Sequence, residues 1–339
     1  MQPDTAASRS KIPYLLTAYG MPHVMGYLAA RDGTAHPSPL TSDRLMDAAV
    51  EMGLAGVEFP IADLTSPQLN ALRDALQSRE LRFVADYLVL VDCDCESFRQ
   101  YLRSAARMGA KVARALMSRI LCGDRRNFAG GWEARLQAVA ARLREVLPLA
   151  QELGLSIGIE NHQDATTDDF LRLYDMTGQH PAFGITLDTG NPLSVGEEPV
   201  EAARRLAPLI RHVHLKDYTI HFCPEGYRLV RCAAGDGCID FPEILKIVRG
   251  NGHDIIPGIE IAAQPTRTIP LLEPEWWSHY PPRHAHEFAA ALRVLWARGR
   301  SAEQPYSSAW ERGEDSQEVA AEEWDVVRRS VAYFRSLSK

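Results

Sequence analysis

The feature that most constrains this chain is an alternation. Eight short apolar runs, rich in β-branched residues, are separated by longer segments of helical periodicity. The runs are Tyr14–Tyr19, Gly56–Phe59, Arg82–Leu90, Lys111–Met117, Leu155–Glu160, Phe183–Asp188, Arg211–Lys216 and Ile255–Ile261. Each reads as a continuous apolar stretch, the pattern of a strand covered on both faces. Between them, Ser66-Pro67 places a hydroxyl before a proline at a helix start, and Leu69, Leu72 and Leu76 follow on one face. Thr167-Asp168-Asp169 puts acids at the positive end of a helix dipole. Glu133–Leu153 carries Leu136, Val139, Leu143 and Leu147 as one stripe and stops at Gly154. Asp240-Phe241-Pro242 opens a further helix that ends at Gly250-Asn251-Gly252. Strands alternating with helices in this way predict an α/β fold, a closed (β/α)8 barrel. The rival, an open doubly wound sheet, lacks its marks: no Gly-x-Gly-x-x-Gly follows the first strand and no Walker lysine motif occurs.

The expected organisation is a flexible N-terminus over 1–12, the barrel as catalytic domain over 13–300, and a linker with a C-terminal helix, Glu318–Leu337, packing on the barrel over 301–339. Two connections are too long to be plain turns. Gly20–Leu40 follows the first strand, and Gln264–Arg283, with Trp276, Trp277 and Tyr280, follows the eighth. Long loops at the carboxyl ends of barrel strands are lids or binding loops, or they pack against a second subunit.

Charge and composition exclude several classes. The formal net charge of -7 argues against the broad basic face that nucleic acid requires. No apolar run approaches the roughly 20 residues of a membrane span, and Met1 to Lys11 contains no apolar signal core. Six cysteines with no Cys-x-x-Cys pair make neither a disulfide framework nor a zinc site. A cytoplasmic enzyme with reduced thiols is expected, with neither nucleic acid nor membrane as partner.

The chemistry is concentrated at the ends of the last four strands. They finish in Glu160-Asn161-His162, Asp188-Thr189-Gly190-Asn191, His212-Val213-His214-Leu215-Lys216-Asp217 and Gly258-Ile259-Glu260. Side chains at the carboxyl ends of successive barrel strands converge above the barrel. Spacings of 28 and 26 residues suit one βα unit each, and the next, 46, suits a unit with an elaborated loop. Three carboxylates meeting at one point repel unless a cation neutralises them. Glu160, Asp188, His214 and Glu260 therefore predict a site for one divalent metal. The oxygen-rich donor set favours Mn²⁺, with Mg²⁺ or Co²⁺ as alternatives, over structural zinc. His162, Asn191, Lys216, Glu58 and Trp277 are the expected substrate contacts. Asp217 is a candidate for steadying the ligands, His212 reads as core, and Gly235-Asp236-Gly237 as a tight turn. No obvious arginine or lysine nest lies near the last two strands, which favours an unphosphorylated ligand.

These strand ends, together with Gly235-Asp236-Gly237-Cys238-Ile239-Asp240-Phe241, resemble the sugar phosphate isomerase/epimerase superfamily, the xylose isomerase-like TIM barrels. The likeness runs from the first strand through the eighth. It implies a single divalent metal, often Mn²⁺, on Glu160, Asp188, His214 and Glu260. It also implies acid–base chemistry at carbon beside a carbonyl, with Glu160 and Glu260 facing each other across a carbohydrate substrate. The expected activity is isomerisation or epimerisation of a keto-sugar or keto-polyol through an enediolate. The alternatives are a 3-oxo-glycoside cleaving lyase and an inosose dehydratase. Two positions depart from the 3-epimerases of the superfamily, which have a His where Asn191 stands and an Arg where Ile220 stands, so the substrate grip differs. The apurinic endonuclease branch of the fold needs three metals and a basic groove, which the charge and the single ligand set oppose. The tryptophan loop and the terminal helix make a homo-oligomer or a partner subunit a further expectation.

Overall fold

The computed structural model describes residues 11–128, 130–301 and 306–338, so the expected segment 1–12 lies almost wholly outside the described residues. The strands in chain order are β1 (Ile12–Thr17), β2 (Leu54–Pro60), β3 (Arg82–Val89), β4 (Val112–Leu116), β5 (Ser156–Glu160), β6 (Phe183–Asp188), β7 (Ile210–Leu215), β8 (Tyr218–Cys223), β9 (Gly226–Arg231), β10 (Gly258–Ile259), β11 (Arg267–Ile269) and β12 (Gly299–Arg300). Eight of them close a barrel in the order β1-β10-β7-β6-β5-β4-β3-β2, and every pairing is parallel. The expected (β/α)8 TIM barrel is the observed fold. One strand is much shorter than its apolar run: Ile255–Ile261 contracts to two residues, because Pro257 has no N–H to give the ladder.

The outer helices are α1 (Ser42–Glu51), α2 (Ser66–Ser78), α3 (Cys95–Arg107), α4 (Trp132–Glu152), α5 (Thr167–Met176), α6 (Pro199–Leu206) and α7 (Phe241–Gly250). Their starts follow the sequence closely. Thr166 caps α5 in a capping box with Asp169, and Asp240 caps α7. In α2 the cap is Thr65, whose N–H donates to Gln68 at 2.9 Å, one residue before the Ser66 that the sequence suggested. Beyond the barrel come α8 (Pro274–Trp277), α9 (Ala285–Arg298), α10 (Ala309–Arg312) and α11 (Ser316–Leu337). Helix α11 lies in the outer ring: Phe334 packs on Tyr14 of β1 and Phe241 of α7, with ring centroids 5.0 and 5.1 Å apart.

The barrel interior is layered. Leu15, Val84 and Val112 form an apolar floor. Two residues further along their strands, on the same face, come Thr17, Asp86 and Arg114. These three join Glu58, Thr186 and His212 in a buried polar layer. Gly258 leaves the room this layer needs, since a Cβ there would meet Thr17 Cγ2 at 2.7 Å. A second sheet, β11-β9-β8-β12, inserts between β7 and α7 and is completed by segments after β10. These strands stand where the sequence predicts only an elaborated connection and a loop.

Candidate metal centre

Four strand ends bring their side chains together. Glu160 closes β5, Asp188 closes β6, His214 is the penultimate residue of β7, and Glu260 follows β10 with its N–H donated to Leu215 at 3.1 Å. All four are buried, and one ligand atom from each lies within 4.8 Å of the others. Nδ1 of His214 stands 2.8 Å from Glu260 Oε2 and 3.6 Å from Glu160 Oε2.

Three of the four side chains are held from behind. Glu58 of β2 receives His212 Nε2 at 2.7 Å and His214 Nε2 at 2.9 Å. A carboxylate only accepts, so both histidines carry a proton on Nε2, and Nδ1 of His214 is left free for a cation. Burial alone would raise the Glu58 carboxyl; His214 and His212 outweigh it and hold it down to about 2. Asn161 accepts the Asp188 N–H at 2.5 Å and donates to the Asp188 carbonyl at 3.1 Å. Asp188 Oδ1 accepts N–H bonds from Gly190 and Asn191 at 2.9 and 3.2 Å. Arg114 of β4 donates through Nε to Glu160 Oε2 at 2.6 Å, again through a terminal nitrogen to the same oxygen, and to Asp86 of β3. The guanidinium and His214 overcome burial and keep Glu160 well below the ordinary carboxylate range, whereas burial raises Asp86 to about 7.

This donor set fits a divalent cation. Glu58, Glu160, Asp188 and Glu260 face two fixed cations, Arg114 and Lys216, so the cluster is left net negative. Asp188 Oδ2 and His214 Nδ1 are buried with no hydrogen bond, although charged groups stand close by. Three carboxylates and one imidazole suit Mn²⁺, Mg²⁺ or Co²⁺.

The expected substrate contacts are distributed unevenly. Lys216 pairs with Asp188 and reaches Glu260 at 3.0 Å. Asn191 Nδ2 lies 3.4 Å from Glu160 Oε1. His162 is half-buried with Nδ1 unpartnered, and burial lowers its pKa to about 4 despite nearby Glu160. Glu58 lies beneath the cluster, with both oxygens on histidines. Trp277 donates to Leu271 at 2.9 Å and packs on Trp276 and Phe288, away from the four ligands. Asp217 is buried and accepts N–H bonds from Tyr218, Gly235, Gly237 and Ile239, so it shapes the turn after β9. His212, read as core, supports Glu58.

Two residues central to the site were not singled out from the sequence: Arg114 and Asp86. Their signal was present. Each is a charge inside an otherwise apolar parallel strand, where an inward position leaves it no solvent.

Residues 46–280 match the xylose isomerase-like TIM barrel family. The chain belongs to that family. A 3-oxo-isoapionate decarboxylase of Pectobacterium atrosepticum is 28% identical over 228 residues, covering 65% of this chain and 77% of the relative. An inosose dehydratase of Clostridium beijerinckii is 26% identical over 240 residues, covering 61% and 78%. Among solved structures, an L-ribulose 3-epimerase superposes with a TM-score of 0.56 at 16% identity, over 93% of this chain and 97% of that one. The probable 3-DHS dehydratase AsbF of Bacillus anthracis gives 0.52 at 17%, over 74% and 92%. At these identities the structures establish the fold, and the named relatives are enzymes of more than one reaction class.

No helix among the described residues is long and apolar enough to cross a membrane. The six cysteines are free.

Proposed function

We propose that this barrel is a divalent-metal-dependent isomerase or epimerase of a keto-sugar or keto-polyol, working by proton transfer through an enediolate. The observation that carries this reading is the convergence of Glu160, Asp188, His214 and Glu260 within 4.8 Å. Bound there, a cation such as Mn²⁺ would supply Lewis-acid stabilisation of the negative charge that develops on substrate oxygens as the proton leaves. The chain's own residues do the rest. Glu260, at the rim of the cluster, takes the proton from the carbon beside the carbonyl. Lys216, 3.0 Å from Glu260, orients that carboxylate and offers protons to substrate oxygens. Arg114 fixes Glu160, and Glu58 fixes the His214 ring. Asn191 and His162 present polar groups to hydroxyls at the mouth.

A second reading, elimination by a lyase of the dehydratase or 3-oxo-glycoside cleaving type, is favoured by one observation. Two-base epimerisation needs both glutamates free to exchange protons. Arg114 holds Glu160 Oε2 by two bonds from one rigid guanidinium, while Glu260 meets only single contacts, with Lys216 at 3.0 Å and with His214 Nδ1 at 2.8 Å. One base held less firmly than the other suits removal of a proton followed by loss of a leaving group. The similarity to an inosose dehydratase points the same way.

The test is incubation in deuterium oxide with keto-sugars and inososes. The wild-type chain should incorporate deuterium beside the carbonyl, chelation should stop it, and Glu260→Gln should abolish it. Exchange that survives Glu260→Gln would show that another group is the base. Release of an aglycone from a 3-oxo-glucoside, or loss of water, separates elimination from epimerisation.

A further inference from the structure

The sheet inserted after β7 places two arginines side by side without an ion pair among the described residues. In its ladders Tyr218 stands opposite Arg231, Ile220 opposite Leu229, and Arg267 opposite Leu229. Directly opposed residues share a face, so Tyr218, Ile220, Leu229, Arg231 and Arg267 lie on the same side, and the two arginines are diagonal neighbours. That side is turned toward the barrel mouth. The Tyr218 ring packs on Gly190, two residues beyond Asp188, and Tyr227 Oη donates to Leu193 in the same loop. The other side is satisfied: Arg228 pairs with Glu311 at 3.0 Å.

Arg231 and Arg267 form no ion pair among the described residues. Arg267 gives one bond, at 3.3 Å, to the Thr266 carbonyl. Nε of each arginine is buried and unbonded, and the hydroxyl of fully buried Tyr218 lies beside Arg231. Burial and the neighbouring Arg231 charge depress the Arg267 pKa below the ordinary guanidinium value. On the inner side, Arg231 is near enough to Tyr218, Glu260 and Asp188 for them to outweigh its own burial and raise its pKa. Glu323 of α11 also faces Arg231, but its oxygens accept the N–H groups of His23 and Val24 at 3.1 and 2.9 Å. Two adjacent half-buried cations with idle donors are unfavourable alone, and an anion between them relieves both the repulsion and the missing bonds.

We propose that Tyr218, Arg231 and Arg267 form a subsite for an anionic group of the substrate, so that the enzyme acts on an acidic keto-sugar or keto-polyol derivative. The anion, a carboxylate or a phosphate ester, rests on the inserted sheet while the carbonyl end meets the carboxylate cluster. This deepens the functional reading above and rests on that cluster being the reaction centre. The two arginines come from β9 and β11, segments in which the sequence offers no obvious arginine or lysine nest.

Calorimetric titration of the full chain with D-fructose, 2-keto-D-gluconate and D-fructose 6-phosphate, at one ionic strength, tests this. At least one charged probe should bind ten-fold or more tightly than D-fructose. A preference for the keto acid assigns a carboxylate, and a preference for the phosphate ester assigns a phosphate. Arg231→Gln and Arg267→Gln should each remove the advantage and leave D-fructose unchanged, with Arg267→Lys retaining part of it. No advantage for either charged probe over D-fructose, or an advantage that survives both substitutions, overturns the proposal. The wild-type comparison needs no variant to fold. It is also independent of the deuterium-exchange result, so failure of the subsite and failure of the reaction reading are told apart.

Discussion

Two groups of charge face each other across the same barrel mouth. At the strand ends, each acid has a partner: Glu160 has Arg114, Asp188 has backbone amides and Lys216, and Glu260 has Lys216. On the inserted sheet, Arg231 and Arg267 form no ion pair among the described residues, and their idle Nε atoms are buried. The contrast separates what the fold supplies from what is added to it. Strand ends are fixed by the barrel ladders, so acids placed there converge and can be locked by neighbours from below. A sheet grafted onto a βα connection owes nothing to the barrel's closure, and it can carry charges whose partner is brought by the ligand.

The largest effect should come from deleting a paired cation. Arg114→Met leaves Asp86 and Glu160 without their counterion, which should destabilise the chain by about 3–5 kcal/mol in denaturant unfolding. Near-wild-type stability would mean that the two acids are accommodated in another way. Next, Glu58→Gln loosens the orientation of His212 and His214 and should weaken metal binding by about 10- to 100-fold in titration calorimetry. An unchanged affinity would remove Glu58 from the positioning role. Arg267→Met sharpens the comparison from the other side. Because this cation lacks a partner, the ligand-free variant should melt no lower than wild type, and higher by about 1 kcal/mol equivalent if the charge is strained. A large loss of stability would show that Arg267 is paired after all.

A pH-dependent effect lies where α11 packs against the loop after β1. Burial pushes the Glu323 carboxyl up to about 8, against an ordinary 4.5. Folded protein therefore holds this proton over a range in which unfolded chain has lost it. Its contribution to stability is fully present below 4.5 and is lost as pH rises toward 8. Melting temperatures of wild type should fall across that window relative to Glu323→Gln, and parallel curves for the two proteins would contradict the assignment.

The same division governs what could be read from the sequence. Glu160, Asp188, His214 and Glu260 were legible because each lies at or near the end of an apolar run, and the closure of the barrel turns strand ends into neighbours. Arg114 and Asp86 were hidden inside two of those runs, where the alternation of strand faces points them into the lumen. Arg231 and Arg267 were hidden more deeply. Tyr218–Cys223 and Gly226–Arg231 form a hairpin across Pro224-Glu225, a pair without the Asn-Gly or Asp-Gly mark, so the alternation of Tyr218–Cys223 is its main signal. That signal sits where a barrel connection is ordinarily a loop and a helix, so the segment read as an elaborated connection. The eighth apolar run was read too long because the effect of Pro257 on the ladder is local, whereas the apolar pattern runs through it.

Calorimetric titration of metal-stripped chain with Mn²⁺ tests the central claim most directly. The structure predicts one bound ion per chain, with affinity falling at least about 100-fold in Asp188→Asn and in His214→Gln, since removing a ligand exceeds the loss of its supporting partner. Absence of stoichiometric binding, or binding that both variants retain, would contradict it.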